Sequence, residues 1–247
     1  MHPQVQSNVW KSVVRVVISV SDSVFTTATA LVVARTSTHL YLRTNLGLYV
    51  DPRFAGFLSA DFKKELADFL IAHPWSVKGP KRVEITENEK PQVAIERLTP
   101  EQGDTMMEEV AKFTLEADVC WKSSADLDFA IFKVAVPEHV QLIACTIASF
   151  DVVPTMNVNI FLFRNTPYVF GAPYAIIPAH VTSHHVTGMC LSAPGIPEGA
   201  VVFTDHGIAV GYTGGCRASY PSCGFKLRGL LTDLLFTLAQ TNQDNDS

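Results

Sequence analysis

Short apolar runs, most of them rich in valine and isoleucine, recur along the chain between turns marked by proline, glycine or asparagine. β-Branched runs of this length favour strands, and turn signals about every 8 to 12 residues are typical of an all-β barrel or sandwich. The pattern predicts strands at 12–20, 24–33, 39–45, 93–97, 129–134, 140–148, 158–163, 174–177 and 181–186, and on both sides of a polar turn at 204–207.

Three other segments have a helical pattern. Apolar residues at helical spacing within 60–71 predict an amphipathic helix. Thr99 and Pro100 have the character of an N-cap and a first-turn proline, so a second helix is predicted over 99–113. A broad apolar face over 227–238 predicts a helix that docks on the strands near the end of the chain.

The composition is that of a folded protein with a sizeable core, because 47% of the 247 residues are apolar and 17% are charged. A net charge of −5 without a basic stripe gives no electrostatic reason to expect a nucleic-acid partner. No apolar segment has the roughly 20 residues that a membrane span needs. Residues 1–7 are polar and lead into no uninterrupted apolar signal region. We therefore expect a soluble intracellular protein, either cytoplasmic or organellar.

The cysteines and acidic residues carry no metal or cofactor signature. The five cysteines lack the paired spacing of a zinc site; they are Cys120, Cys145, Cys190, Cys216 and Cys223. Buried free thiols are expected in a reducing compartment, and a disulfide among Cys190, Cys216 and Cys223 stays open for an oxidising one. Asp126 and Asp128, beside a predicted strand, are typical of a turn and cap. Since the glycines at 211–215 lack the Lys-Ser/Thr of a phosphate loop, we expect no metal and no cofactor.

Residues 192–212 combine a proline- and glycine-rich loop, a buried strand, a turn and a second buried strand. This pattern resembles the nucleophile loop of trypsin-like and HtrA-like serine proteases, in which Gly-x-Ser-Gly-Gly-Pro precedes an apolar pair and a glycine turn. When the two patterns are aligned on Gly207 and Gly211, the nucleophile position is Glu198. Gly199 then stands for the first of the two glycines.

Two further motifs of the same family are matched upstream and in the same order. The family's Leu-Thr-Asn-x-His-Val corresponds to residues 43–48, so the general-base position is Gly47. Its Asp-Leu-Ala-Leu-Leu-Lys-Val corresponds to residues 128–134, so Asp128 is the acid that would orient the histidine. The general base is therefore missing from the matched motif, although the acid is kept.

The resemblance implies an all-β fold of two trypsin-like β-barrels with a helical insertion in the first and a C-terminal helix. The expected N-terminal barrel spans 10–138 and includes an inserted α/β segment at 51–124. The second barrel and the terminal helix span 139–240, and 241–247 is expected to be a disordered tail.

The catalytic machinery that the resemblance implies is degenerate. A serine nucleophile needs an adjacent imidazole to take its proton, but Gly47 offers no base and Glu198 no hydroxyl. The oxyanion hole would use the N–H groups of Glu198 and Ile196, and Pro197 between them restricts the loop. We hypothesise that the Glu198 carboxylate occupies the former oxyanion hole.

Other histidines offer only weak substitutes for the missing base. His206 is expected to face solvent in a turn, and at most one of His184 and His185 should point inward from a strand. We therefore predict a non-catalytic protease homologue that acts as a protein-binding or scaffolding subunit. Its protein or peptide partner would use segment 51–124 or the inter-barrel cleft. Two alternatives stay open, namely an active serine-type endopeptidase with a misread or relocated triad and a β-sandwich adaptor unrelated to proteases.

Overall fold

The structure, a computed structural model, describes residues 3–19, 25–45, 47–50, 81–84, 92–101, 104–114, 129–135, 141–163, 174–185, 188–194, 196, 199–214 and 221–226. Within these ranges one helix, α1 (Pro3–Ser12), precedes a series of strands. The strands are β1 (Val13–Ser19), β2 (Phe25–Arg35), β3 (His39–Asn45), β4 (Gly47–Val50), β5 (Lys81–Glu84), β6 (Gln92–Glu101), β7 (Asp104–Thr114), β8 (Phe129–Ala135), β9 (Asn157–Phe163), β10 (Tyr174–His184), β11 (Gly188–Pro194), β12 (Val201–Thr204), β13 (Ala209–Thr213) and β14 (Pro221–Lys226).

These strands form two antiparallel bodies. The first is a six-stranded sheet in the order β7-β6-β1-β2-β3-β8, and the second is a closed barrel in the order β10-β11-β14-β13-β12-β9. β4 and β5 pair as a separate ribbon. The predicted all-β class is therefore confirmed, and the closed barrel removes the alternative of a plain β-sandwich.

Alternation of side chains along β9 separates two apolar cores. Val158 and Ile160 belong to the core that fills the barrel, whereas Phe161 and Phe163 belong to a core shared with the first sheet. Because successive residues of a strand point to opposite faces, one run of apolar residues supplies both cores. This explains why β9 is buried on both faces after its first residue.

The contact between the two halves is apolar with a few directed polar bonds. The shared core includes Val13 and Leu31 from the first sheet and Phe203 from the barrel. The hydroxyl of Thr29 in β2 accepts a 2.9 Å hydrogen bond from the backbone N–H of Phe163 in β9. The two sheets are thus held in one defined orientation.

Helix α1 lies at this contact and was not predicted from the sequence. Val9 belongs to the shared core, and the Trp10 ring meets Tyr174 of β10 edge-on with 6.0 Å between centroids. A helix of 10 residues is marginal on its own in water. Its stability therefore comes from this packing, which no local pattern reveals.

The helix predicted over 99–113 is wrong, because this stretch lies in strands β6 and β7. The two strands pair with Thr99 opposite Met106, and β6 also pairs with β1. Leu98 is buried in the shared core and Met107 packs against it. Pairing with β1 and burial of this face outweigh the local N-cap signal of Thr99 and Pro100.

The strand predicted over 140–148 is also wrong. Segment 141–148 makes one isolated bridge, Ile147 with Ala209. Its backbone N–H groups bond to three elements in turn, with Ile143 to Lys11, Cys145 to Val32 and Ala148 to Ala209. This apolar segment connects the two halves, so its alternating burial arises from different neighbours and not from one sheet.

The other predicted strands are confirmed, with two of them merged. The runs at 174–177 and 181–186 are one strand, β10, which continues through Pro178. The predicted helices at 60–71 and 227–238 and the tail at 241–247 lie outside the described residues, and the predicted domain bounds stay predictions.

Candidate functional site

The predicted general-base position, Gly47, is the first residue of strand β4 and pairs with Glu84 of β5. Two residues earlier, β3 ends at Asn45, which is paired with Phe129 at the start of β8. Phe129 directly follows Asp128 in the sequence, and Asp128 itself lies outside the described residues. The register therefore brings together the strand ends that flank the predicted base and acid positions.

The predicted oxyanion loop is described at Ile196, which is buried, and from Gly199 onward. Gly199 has a φ of +83°, in the left-handed region that favours glycine. Pro197 and Glu198 lie outside the described residues, so the hypothesis that the Glu198 carboxylate fills the oxyanion hole stays a prediction.

Thr213 at the end of β13 anchors the loop directly after Glu198, and the sequence reasoning missed it. Its carbonyl oxygen accepts from the Gly199 N–H at 2.8 Å, and its own N–H donates to the Ala200 carbonyl at 2.8 Å. Its hydroxyl accepts from the Ala200 N–H at 3.0 Å. With 0% of its surface exposed, Thr213 fixes the backbone that follows the predicted nucleophile position.

Arg43 and Tyr212 form a second feature that the sequence reasoning missed. The Arg43 guanidinium carbon lies 3.4 Å from the centre of the Tyr212 ring, and the two residues are 1% and 2% exposed. Arg43 is in β3 and Tyr212 is in β13, so this cation–π contact joins the strands leading to Asn45 and to Thr213. An arginine directly after the apolar run of Leu40, Tyr41 and Leu42 was the available signal, because charged residues are rarely buried without a specific contact.

Solved structures with a similar fold are serine proteases. Rv3671c from M. tuberculosis H37Rv, solved as a serine-to-alanine variant in an inactive form, aligns with a TM-score of 0.51 at 12% identity. That alignment covers 94% of this chain and 89% of that one. The serine endoprotease from Yersinia pestis aligns with a TM-score of 0.52 at 14% identity, over 97% of this chain and 68% of that one. The chain has the trypsin-like serine protease fold.

At these identities the likeness establishes the fold alone. No protein-family model and no curated protein sequence matches the chain. The catalytic state of this trypsin-like fold must therefore be judged from its own residues.

Two of the described histidines, His39 and His206, lie away from the predicted site. His39 begins the seven-residue strand β3 and is about 20 Å along the strand from Asn45. Its Nδ1 lies 2.8 Å from the Thr38 hydroxyl, in an exposed turn. His206 is exposed in the turn between β12 and β13, at the far end of that hairpin from Gly199. The prediction that His206 faces solvent is confirmed.

Three of the described histidines lie in or next to β10, and the backbone of one of them contacts a serine. The hydroxyl of Ser192 accepts a 2.9 Å hydrogen bond from the backbone N–H of His180, so this contact does not use the imidazole. His184 and His185 are both exposed beside the turn into β11. The Ser192–His180 contact is therefore not the hydrogen bond of a catalytic pair, which joins a hydroxyl to an imidazole nitrogen.

Two cysteines in the described part of the chain, Cys145 and Cys190, are free and half-buried. Burial of the Cys145 thiol raises its pKa from 9.0 to about 12, so the reactive thiolate is suppressed. Within the described ranges, no group of three or more His, Cys, Asp or Glu side chains is arranged to hold a metal. No helix in the described part of the chain is long and apolar enough to cross a membrane.

Proposed function

We propose that this chain is a non-catalytic homologue of the trypsin-like serine proteases that binds an extended segment of a partner protein. The observation that carries the proposal is Gly47, the first residue of β4, at the position that the matched family motif gives to the general base. Without an imidazole at that position, no group is available there to take a proton from a nucleophile.

The surroundings of the site form a packed scaffold, and the residue at the matched nucleophile position argues against catalysis. Arg43 and Tyr212 pack across the two halves with almost no exposure, and Thr213 holds the loop backbone with three hydrogen bonds. The matched sequence position for the nucleophile is Glu198, and an ionised carboxylate there would repel a developing oxyanion. A packed scaffold with a carboxylate at the matched nucleophile position suits a binding subunit better than a hydrolase.

The competing function is an active serine-type endopeptidase with a misread or relocated triad. Purified protein should neither cleave fluorescent casein nor be labelled by a fluorophosphonate, whereas trypsin in parallel should do both. Labelling of the wild type at one serine, identified by peptide mapping and lost when that serine is replaced by alanine with an unchanged circular dichroism spectrum, would establish the competing function instead.

We place the binding surface on β7, within the segment 51–124. β7 is the last strand in the order of the first sheet, and no described strand pairs with its outer edge. Such an edge offers unpaired backbone groups to an extended peptide. A register shift opposite Ile95 and Glu96 interrupts the edge, which leaves the stretch from Asp104 to Glu109 as the longer regular part.

The charges on β7 indicate which kind of peptide would bind there. Glu108 and Glu109 are exposed, and the Glu108 carboxylate accepts a 2.9 Å hydrogen bond from Arg97. Asp104 adds a third acid to the strand, and Lys112 is the exposed base. Because the whole chain also carries a net charge of −5, we expect the bound segment to be basic.

A charge-reversal pair on this strand tests the surface. Random peptides displayed on phage and selected against the whole chain should be rich in lysine and arginine. Glu109→Lys should weaken their binding about threefold to tenfold, and the matched variant Lys112→Glu should strengthen it similarly. Equal affinities for both variants would exclude β7 as the surface, and a selection that yields no specific peptide would count against the binding function itself.

A further inference from the structure

Two cysteines occupy directly opposite register positions in neighbouring strands of the barrel. Cys190 in β11 is paired with Cys223 in β14, between the pairs Met189 with Gly224 and Leu191 with Ser222. Directly opposite residues of an antiparallel pair have Cα atoms about 4.5 or 5.5 Å apart. Both separations fall within the range of about 4.4 to 6.8 Å that disulfides span.

Cys190 belongs to the outer face of the barrel, and position 223 is its register partner. Met189 and Leu191 are buried in the barrel core, so Cys190 between them belongs to the opposite face. Cys190 is half-buried, which leaves it accessible from solvent. Position 223 precedes the buried Gly224 in its strand, and directly opposite positions share a face.

The pairing register is held by a close approach at Gly224. A Cβ at this position would lie 2.9 Å from the Tyr212 carbonyl oxygen and 3.1 Å from Cε of Met189. A slip of β14 by one residue would bring a side chain into this space and would move Cys223 to the other face. Glycine therefore keeps Cys223 opposite Cys190.

We propose that Cys190 and Cys223 form a dithiol site that is reversibly oxidised to an intramolecular disulfide by exchange with a small-molecule disulfide such as oxidised glutathione. One protein thiolate attacks the glutathione disulfide, which forms a mixed disulfide and releases one glutathione thiolate. The second protein thiolate attacks the mixed disulfide, forms the Cys190–Cys223 bond and releases the other glutathione. Two electrons pass to glutathione, and the two thiol protons end on the released thiolates.

The cross-link would brace the part of the barrel that carries the degenerate nucleophile loop. It closes a loop of about 33 residues, which includes β12, β13 and the loop residues Ile196 and Gly199. Constraint of the unfolded chain over a loop of this length is expected to raise the melting temperature by roughly 10 °C. Oxidation would thus stabilise the barrel without adding any contact at the site.

The experiment uses the whole chain, first reduced and desalted and then incubated with oxidised glutathione. Intact mass should fall by two hydrogens, peptide mapping should identify a Cys190–Cys223 linkage, and the melting temperature should rise. Cys190→Ser and Cys223→Ser should each carry a glutathione adduct on the remaining thiol and show no such rise. Cys145→Ser and Cys216→Ser are matched controls that should behave like the wild type.

Three results would overturn the proposal. The first is a wild-type protein that keeps both thiols or carries only glutathione adducts while it remains folded and monomeric. The second is a linkage of Cys190 or Cys223 to Cys216. The third is a cross-link between chains that replaces the one within a chain at every protein concentration.

Discussion

Replacing Thr213 by valine tests whether a single hydroxyl holds the loop after the predicted nucleophile position. Valine has nearly the same shape as threonine and the same β-branching, so the strand and its packing should be preserved. The Ala200 N–H, which donates to this hydroxyl at 3.0 Å, would lose its acceptor. Ala200 and Thr213 are both buried, so water cannot readily replace the hydroxyl.

The expected cost follows from that buried donor. An unsatisfied buried N–H costs about 1–3 kcal/mol, so Thr213→Val should lower the free energy of unfolding by about 2 kcal/mol. Thr213→Ser keeps the hydroxyl and removes one methyl group, which should cost about 1 kcal/mol. For a chain of this size, the corresponding drops in melting temperature are about 4–8 °C and 2–4 °C.

Urea denaturation of the three proteins measures the order of stability, and hydrogen exchange at the Ala200 amide locates the effect. The expected order is wild type, then Thr213→Ser, then Thr213→Val, with Ala200 losing protection only in the valine variant. An account based on apolar burial alone predicts the reverse order for the two variants. A valine variant as stable as the serine variant, with Ala200 still protected, would refute the reasoning.

Three further predictions concern other parts of the fold. Gly207→Ala should cost about 1–3 kcal/mol in urea denaturation, because φ is +75° and the new Cβ would lie 2.7 Å from Cγ1 of Val5; a Val5→Ala background should remove the steric part only. Thr29→Val should destabilise the chain more than Thr29→Ser in the same assay, since only serine keeps the acceptor for the Phe163 N–H between the two halves; equal losses would contradict this. Burial raises the pKa of Cys145 from 9.0 to about 12. The stabilising effect of the buried neutral thiol is therefore complete below pH 9 and is lost as pH rises toward 12. Thermal melts of Cys145→Ala should lack that part of the pH dependence.

Local patterns predicted most strands of the described chain. β3 was predicted with the bounds that the structure has, and β1, β2, β8 and β9 differ by only a few residues. These strands are rich in apolar or β-branched residues. The strand propensity of such residues acts over a few positions and does not depend on which strand later pairs with them. The prediction that the matched general-base position carries no imidazole also rests on the sequence alone, because Gly47 has no side chain in any fold.

The hairpin of β6 and β7 shows where local patterns fail. Thr99 and Pro100 are good helix-start residues, yet β6 lies between β1 and β7 in the sheet. The pairing partner in β1 is roughly 80 residues away along the chain, as in the 2.5 Å ion pair of Arg15 with Glu96. A window of a dozen residues contains no information about that partner.

The sequence by itself determined the strand-rich class, the glycine at the matched general-base position and the order of the family motifs, since each depends on residue identity over short stretches. The tertiary structure decided that Arg43 lies on Tyr212, that Thr213 anchors Gly199 and that Cys190 stands opposite Cys223. Each of these contacts joins residues far apart in the chain. Their positions are set by sheet register and by the packing of two halves, and these follow from minimising the free energy of the whole chain and not of any segment.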